Sequence, residues 1–218
     1  MSLQYRLYHS PGACSLAPHV VLEELGVPFE PVRIVIADGA NRSPEYLAVN
    51  PRGRVPALEI LGPGEPRILT EALAILVFLA QRHPEPRLLD PDPEQFARLL
   101  EWMSWLGSTV HQTGIRAILR PERFTADPAG AAAIESRARE FVASAYDDLE
   151  SRLPDRGYAL GDSYTILDAY LLVFYRWGNK VGLDLRTRCP RFARIMDLVR
   201  ARPAVLRVIA REGIDVGP

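Results

Sequence analysis

Cys14 is the first place where this chain could do chemistry. It follows Ser10-Pro11-Gly12-Ala13 and stands at the first turn of an expected helix. Free backbone N–H groups and the helix dipole favour an anion there, and a thiolate is such an anion. The other reading is a small buried hydrophobe, because cysteine is among the most buried residue types. Placement alone does not choose between them. Val55-Pro56 is the second feature, opening a strand after Asn50-Pro51-Arg52-Gly53-Arg54. An X–Pro bond adopts the cis form at modest cost. With a cis bond the Val55 N–H and C=O would face outward and pair with an extended peptide, as an added strand does. A trans proline at a sheet edge is the alternative. Glu71 follows Thr70 at the start of another helix. A carboxylate suits a first turn through the dipole alone. It could also receive an ammonium group while the Glu71 and Ala72 N–H groups receive a carboxylate. An α-amino-acid head group carries both charges. A thiol-friendly turn, a strand-like edge and an amino-acid clamp together describe a site for a small thiol peptide.

Other side chains carry two readings each. Tyr8 ends the first strand near the same place; its phenol would donate to a thiolate or pack in the core. His111, with Gln112, sits on a later helix, as a site histidine or an ordinary surface one. Tyr170 and Trp177 fall on one side of a helix expected over residues 165–181, as a ligand wall or a core stripe. Thr165, with Asp168 three residues on, forms a capping box with Asp in place of the usual Glu, and is read as structural. No role falls to Cys189.

The elements that must position these residues follow from pattern. Strands are predicted over residues 5–8 and 29–36, with a helix between them over 13–25 closed by Gly26. Pro18 must lie in that helix's first turn, where a missing N–H costs little. Residues 37–43 read as a polar loop. Strands over 55–60 and 67–69 flank the turn Gly62-Pro63-Gly64. Thr70 is expected to cap a helix over 71–82 that is apolar nearly all round and hence buried. The order β-α-β, then β-β-α, is the thioredoxin-like arrangement. After His83, Pro84, Pro86, Pro91 and Pro93 punctuate a linker. Beyond it Phe96, Leu99, Leu100, Met103, Leu106 and Val110 recur at helical spacing, as do Ile134, Ala138, Phe141, Ala145, Leu149 and Leu153. The expected fold class is therefore α/β plus all-α: a thioredoxin-like domain over residues 1–83, a linker over 84–93, and an all-helical bundle of five or so helices over 94–218.

Composition excludes several classes of function. The chain has 218 residues, with 26 basic against 27 acidic side chains and a net charge of −1. It has no global field to draw nucleic acid or an anionic membrane. The longest apolar run, residues 72–80, is far short of the ~20 residues of a spanning helix. Residues 1–6 lack the apolar stretch and cleavage site of a signal peptide, and Met1-Ser2-Leu3 is open to being partly a cloning remnant. Two cysteines make neither a disulfide framework nor a zinc spacing, so no metal is expected and a reducing cytoplasm is the default.

Several segments resemble one family. Ser10-Pro11-Gly12-Ala13-Cys14-Ser15-Leu16-Ala17-Pro18-His19 is similar to the N-terminal signature of bacterial beta-class glutathione transferases. Residues 50–58, Asn-Pro-Arg-Gly-Arg-Val-Pro-Ala-Leu, resemble their glutathione-binding loop, and Thr70-Glu71-Ala72 their helix-3 start. Gly161-Asp162 through Tyr170 resembles their capping box in helix 6. The resemblance implies a glutathione transferase fold, with glutathione as co-substrate and a small hydrophobic electrophile as the second substrate. It implies that Cys14 contacts or forms a mixed disulfide with the glutathione sulfur; were Cys14 dispensable, the activating role would move to Tyr8, Ser10 or Ser15. Val55 would pair through its backbone with the cysteinyl part beside a cis Pro56, and Glu71 and Ala72 would hold the γ-glutamyl end with Arg54 beside them. His111 matches the family histidine of helix 4, near the thiol, and Tyr170 and Trp177 match the hydrophobic substrate site. A cytoplasmic, detoxifying homodimer is implied. The chain departs from the family at Gln112, where Lys is frequent, and at His9, where Tyr is common. Asn41 or Arg42 would stand in for a basic residue missing after strand 2. Two other activities fit the same residues: thiol–disulfide exchange through Cys14, and binding of glutathione or apolar ligands without turnover.

Overall fold

The computed structural model describes residues 4–218. Met1, Ser2 and Leu3, read above as a possible cloning remnant, lie outside the described residues. Strand β1 (Tyr5–His9) buries Tyr5, Leu7 and His9 and leaves Arg6 and Tyr8 partly open, the period-two alternation of a strand. It holds an inner position in a four-stranded sheet of order β2-β1-β3-β4. β2 (Phe29–Arg33) runs parallel to β1, with Tyr8 opposite Val32. β3 (Ala57–Ile60) runs antiparallel to β1 with Tyr8 opposite Ala57, and β4 (Arg67–Thr70) antiparallel to β3 with Ala57 opposite Thr70. This register puts the end of β1, the start of β3 and the end of β4 at one end of the sheet. The segments carrying Cys14, Val55 and Glu71 therefore emerge side by side, though 57 residues separate the first from the last.

Helix α1 (Leu16–Leu25) begins later than residue 13, the predicted start, and Cys14 lies just ahead of the helix rather than within its first turn. Pro18 gives the reason. It has no N–H to donate to the Cys14 carbonyl four residues back, so regular winding starts beyond Cys14. Residues 10–16 instead form two tight turns, with the Ala13 N–H donating to the Ser10 carbonyl and the Leu16 N–H to the Ala13 carbonyl. The helix ends at Gly26 in the left-handed conformation, φ 62°, as expected. Strand β2 stops at Arg33 rather than residue 36, because the chain enters a 3₁₀ turn at Ile36–Asp38. The stretch 44–49, where no element is expected, forms helix α2 (Pro44–Val49). Its start signal is legible in retrospect: the Ser43 hydroxyl accepts the Tyr46 N–H, and Pro44 stands at the first helical position. Helix α3 (Ala72–Arg82) begins one residue later than predicted. Thr70 pairs in the β4 ladder and cannot cap it, so Glu71 takes that position.

The chain divides into two compact units, and the division differs from a single cut after the linker. Residues up to Leu89 group with Val199–Asp215, and Asp90–Leu198 with Val216–Pro218. The predicted 94–218 domain therefore gives up helix α10 (Pro203–Glu212) to the first unit, where it packs on α1. Val205 and Val208 are buried there, and Arg202 pairs with Glu24 and Arg207 and Arg211 with Glu23.

The second unit is helical, as predicted. α4 (Pro93–Trp105) continues into a π-wound stretch (Leu106–Ile115) and a short α5 (Arg116–Leu119). Then come α6 (Pro128–Arg152), α7 (Ile166–Lys180), α8 (Leu185–Arg188) and α9 (Pro190–Arg200), whose last residues belong to the first unit. α7 is buried on all sides from Ile166 to Tyr175. The predicted capping box starts it: Thr165 Oγ1 accepts the Leu167 N–H, and Asp168 accepts from the Thr165 and Ala159 N–H groups. No helix among the described residues is long and apolar enough to cross a membrane.

Candidate functional site

The site builds outward from one contact. The Cys14 thiol donates to the Val55 carbonyl oxygen, with Sγ 3.5 Å away. Val55 precedes a cis peptide bond to Pro56. Three side chains hold the loop that carries them. Asn41 Nδ2 donates to the Gly53 carbonyl at 2.8 Å. The Tyr46 hydroxyl and Asn50 Nδ2 both donate to the Arg54 carbonyl, at 2.6 and 2.7 Å. Gly53 has φ 59°, and a Cβ on it would come within 2.7 Å of the Asn41 carbonyl oxygen, so glycine is required there. Behind the loop, Val55 packs with Ile34 and Tyr46 in a small core. Asn41, considered above as a stand-in for a basic ligand residue, is instead a buried clamp on this loop.

The turn carrying Cys14 is closed from inside. Ser15 is fully buried; its hydroxyl accepts the Ser10 N–H and donates to the Ser10 carbonyl, each at 3.1 Å. Ser10 and Ser15 thus bond to each other across the turn. Tyr8 faces a different partner: its hydroxyl donates to Glu59 Oε2 at 3.1 Å, within a network that joins Arg6 to Glu59 and Glu30. Burial first, and then Glu59, raise the Tyr8 phenol above its ordinary range.

Glu71 is the one described non-glycine residue with positive φ, 69°. A non-glycine residue held there is a departure that points toward function. Its side chain is largely exposed and meets Arg52, Nη1 to Oε1 being 3.4 Å. The side chain beside Glu71 is thus Arg52, a residue that no sequence motif singled out; the Arg54 side chain is exposed and its carbonyl serves the loop. Ala72 is buried at the start of α3.

In the second unit, His111 lies in the π-wound stretch with its ring centroid 4.5 Å from that of Trp177. Tyr170 and Trp177 are both buried, each edge-on to Phe174. Gly107 lets the π-wound stretch approach the Tyr170 hydroxyl, which a Cβ would meet at 3.3 Å. Cys189 is buried, and burial pushes its thiol up to about 12, whereas Cys14 is partly exposed.

One participant was invisible to sequence reasoning. Glu212, near the C-terminus, accepts the Gly12 N–H at 2.8 Å, 200 residues away in the chain. His9 and His19 lie against the same carboxylate. No local pattern around Glu212 announces this.

Two family descriptions match the chain in order: the glutathione S-transferase N-terminal domain over residues 3–81, and the glutathione S-transferase C-terminal domain over residues 131–211. Glutathione S-transferase GstA of Escherichia coli O157:H7 is 32% identical over 212 residues, covering 96% of this chain and 99% of that protein. Glutathione S-transferase GST-4.5 of Xanthomonas campestris is 33% identical over 182 residues, covering 83% and 85%. Among solved structures, a glutathione transferase homologue from Sulfitobacter with bound glutathione superposes with a TM-score of 0.90 at 30% identity, covering 98% of this chain and all of that one. Identity of this level, sustained almost end to end over the same two-part architecture, means that the chain belongs to the glutathione S-transferase family.

Proposed function

We propose that the protein binds glutathione at the end of the sheet where Cys14, Val55 and Glu71 emerge, and joins its thiolate sulfur to small hydrophobic electrophiles. The observation that carries this reading is the Cys14 thiol seated on the Val55 carbonyl beside cis Pro56. It occurs in a chain that superposes closely on a glutathione-bound relative. Val55 supplies the strand-like edge for the cysteinyl part of the peptide. Glu71 receives the γ-glutamyl ammonium, and the N–H groups at the start of α3 receive its carboxylate. Arg52 sits beside Glu71. Cys14 lies ahead of α1, where the helix dipole favours a neighbouring sulfur anion. In the reaction the glutathione sulfur forms a bond to carbon. A leaving halide departs with its electron pair, or an opened epoxide oxygen takes up a proton. Through the beta-class resemblance, His111 is assigned to the neighbourhood of the glutathione thiol and Tyr170 and Trp177 to the electrophile site. We assign the protein to the cytoplasm as a detoxifying homodimer on the same basis.

A second reading is thiol–disulfide exchange, favoured by the contrast between a partly exposed Cys14 and a buried Cys189. The test is titration calorimetry with glutathione, repeated with Cys14→Ala and Glu71→Gln, alongside assays with an aryl halide and with a small glutathionylated disulfide. Glu71→Gln should weaken binding about tenfold, the size of one charge-assisted contact. Unchanged affinity in that variant would remove Glu71 from the clamp. Conjugation that survives Cys14→Ala, with disulfide activity absent throughout, would exclude the second reading. Glutathione affinity with neither activity would leave a binding protein.

A further inference from the structure

The group at the base of the Cys14 turn has no role in the reading above. His9 ends β1, Gly12 lies in the turn, His19 is in α1 and Glu212 is in the last turn of α10. All four belong to the first unit. The Glu212 carboxylate is almost fully buried. Its Oε2 accepts the Gly12 N–H at 2.8 Å, and its Oε1 lies 2.8 Å from His19 Nδ1 and 3.2 Å from His9 Nδ1. The two imidazole rings lie 4.8 Å apart. Two histidines and a carboxylate are also the donor types of a metal site. The hydrogen bonds argue against that use. Arg211 Nη1, a donor, lies 3.4 Å from His19 Nε2, which leaves Nε2 as acceptor and the proton on Nδ1. A cation would have to displace that proton. Burial alone would raise the Glu212 carboxyl, but the His19, His9 and Gly12 contacts together lower it to about 2.

A buried carboxylate bonded to a turn N–H fixes that turn in place, because losing the acceptor leaves the donor unsatisfied away from water. Gly12 has φ 65° and stands two residues before Cys14. We propose that Glu212 is a positioning residue for the thiol site: the chain's last long helix reaches back to hold the turn that presents Cys14. The inference rests on the glutathione reading for its functional meaning, while the geometry of the turn can be tested without it.

The experiment uses the full chain as wild type, Glu212→Leu, which has no acceptor for the Gly12 N–H, and Arg207→Ala. Arg207 pairs with Glu23 between α10 and α1 and does not touch Gly12, so it controls for loosening of the helix. Alkylation of Cys14 by iodoacetamide at pH 7, followed by mass spectrometry, needs no glutathione. It should slow about threefold or more in Glu212→Leu and change less than about twofold in Arg207→Ala. Glutathione Kd and KM should rise about fivefold in Glu212→Leu with kcat nearly unchanged, the size expected for one lost hydrogen bond. Should Glu212→Leu fail to fold, Glu212→Asp, which retracts the same charge by one methylene, takes its place. Equal effects of the two substitutions, or a folded Glu212→Leu with wild-type alkylation and affinity, would overturn the positioning role and leave the glutathione reading intact. A wild-type protein that does not bind glutathione would sink the functional reading, and the alkylation comparison would then decide the positioning alone.

Discussion

Tyr8 and Ser15 show how a side chain of the right type becomes committed to something other than chemistry. Both hydroxyls stand within a few residues of Cys14, and either could activate a thiol by donating to it. Ser15 bonds twice to Ser10 inside the turn, and Tyr8 donates to Glu59. A hydroxyl has one proton to donate, and in each case a neighbour takes it. We therefore expect Tyr8→Phe to leave Cys14 alkylation and glutathione affinity within about twofold of wild type, because the lost bond lies on the Glu59 side. A loss above tenfold in either measurement would show that the phenol turns toward the sulfur when the peptide binds.

At the scale of elements, the helix starts do most of the positioning. Pro18 delays α1 and so frees Cys14 to face Val55. Thr70, held in β4, passes the start of α3 to Glu71, whose positive φ turns its side chain out toward Arg52. In the second unit Thr165 and Asp168 start α7, around which that unit's core is built. Thr165→Ala removes the side-chain acceptor for the Leu167 N–H and should cost about 1 kcal/mol or more of unfolding free energy. Urea denaturation measures it, and a midpoint unchanged from wild type would mean that the cap contributes nothing. Thr165→Ser, which keeps the acceptor, should recover most of the loss. The π-wound stretch was not foreseen, because of the apolar series only Leu106 and Val110 fall within it, and one four-residue spacing fits α and π winding alike.

For the whole molecule, two buried carboxyls make stability depend on pH in opposite directions. Burial raises Asp168 from 3.8 to about 6, against the Ala159 and Thr165 donors that lower it. The folded state then binds more protons than the unfolded chain between those values, so its contribution falls as pH rises from about 4 to about 6. Glu212 is lowered from 4.5 to about 2, so its contribution is present above pH 4.5 and is lost as pH falls toward 2. Each shift corresponds to on the order of 3 kcal/mol at about 1.4 kcal/mol per pKa unit. These two groups together favour a stability maximum near pH 4 to 5. Urea melts from pH 3 to 7 should show Asp168→Asn flattening the neutral side of the curve and Glu212→Gln flattening the acid side. A curve whose shape neither substitution changes would remove both assignments.

Local pattern alone carried the two-part architecture, the strands, α1 and α3 of the first unit, the α7 cap and the choice of Cys14, Val55, Pro56 and Glu71 as candidate residues. Each of those depends on residues a few positions apart, or on the fixed order of a β-α-β-β-α chain. Only the tertiary structure decided that Ser15 and Tyr8 have other partners, that Arg52 rather than Arg54 meets Glu71, and that α10 joins the first unit. Those outcomes depend on contacts between segments far apart in sequence. The 200 residues between Gly12 and Glu212 leave no periodicity to read, because a hydrogen bond is set by distance in space and not by distance along the chain.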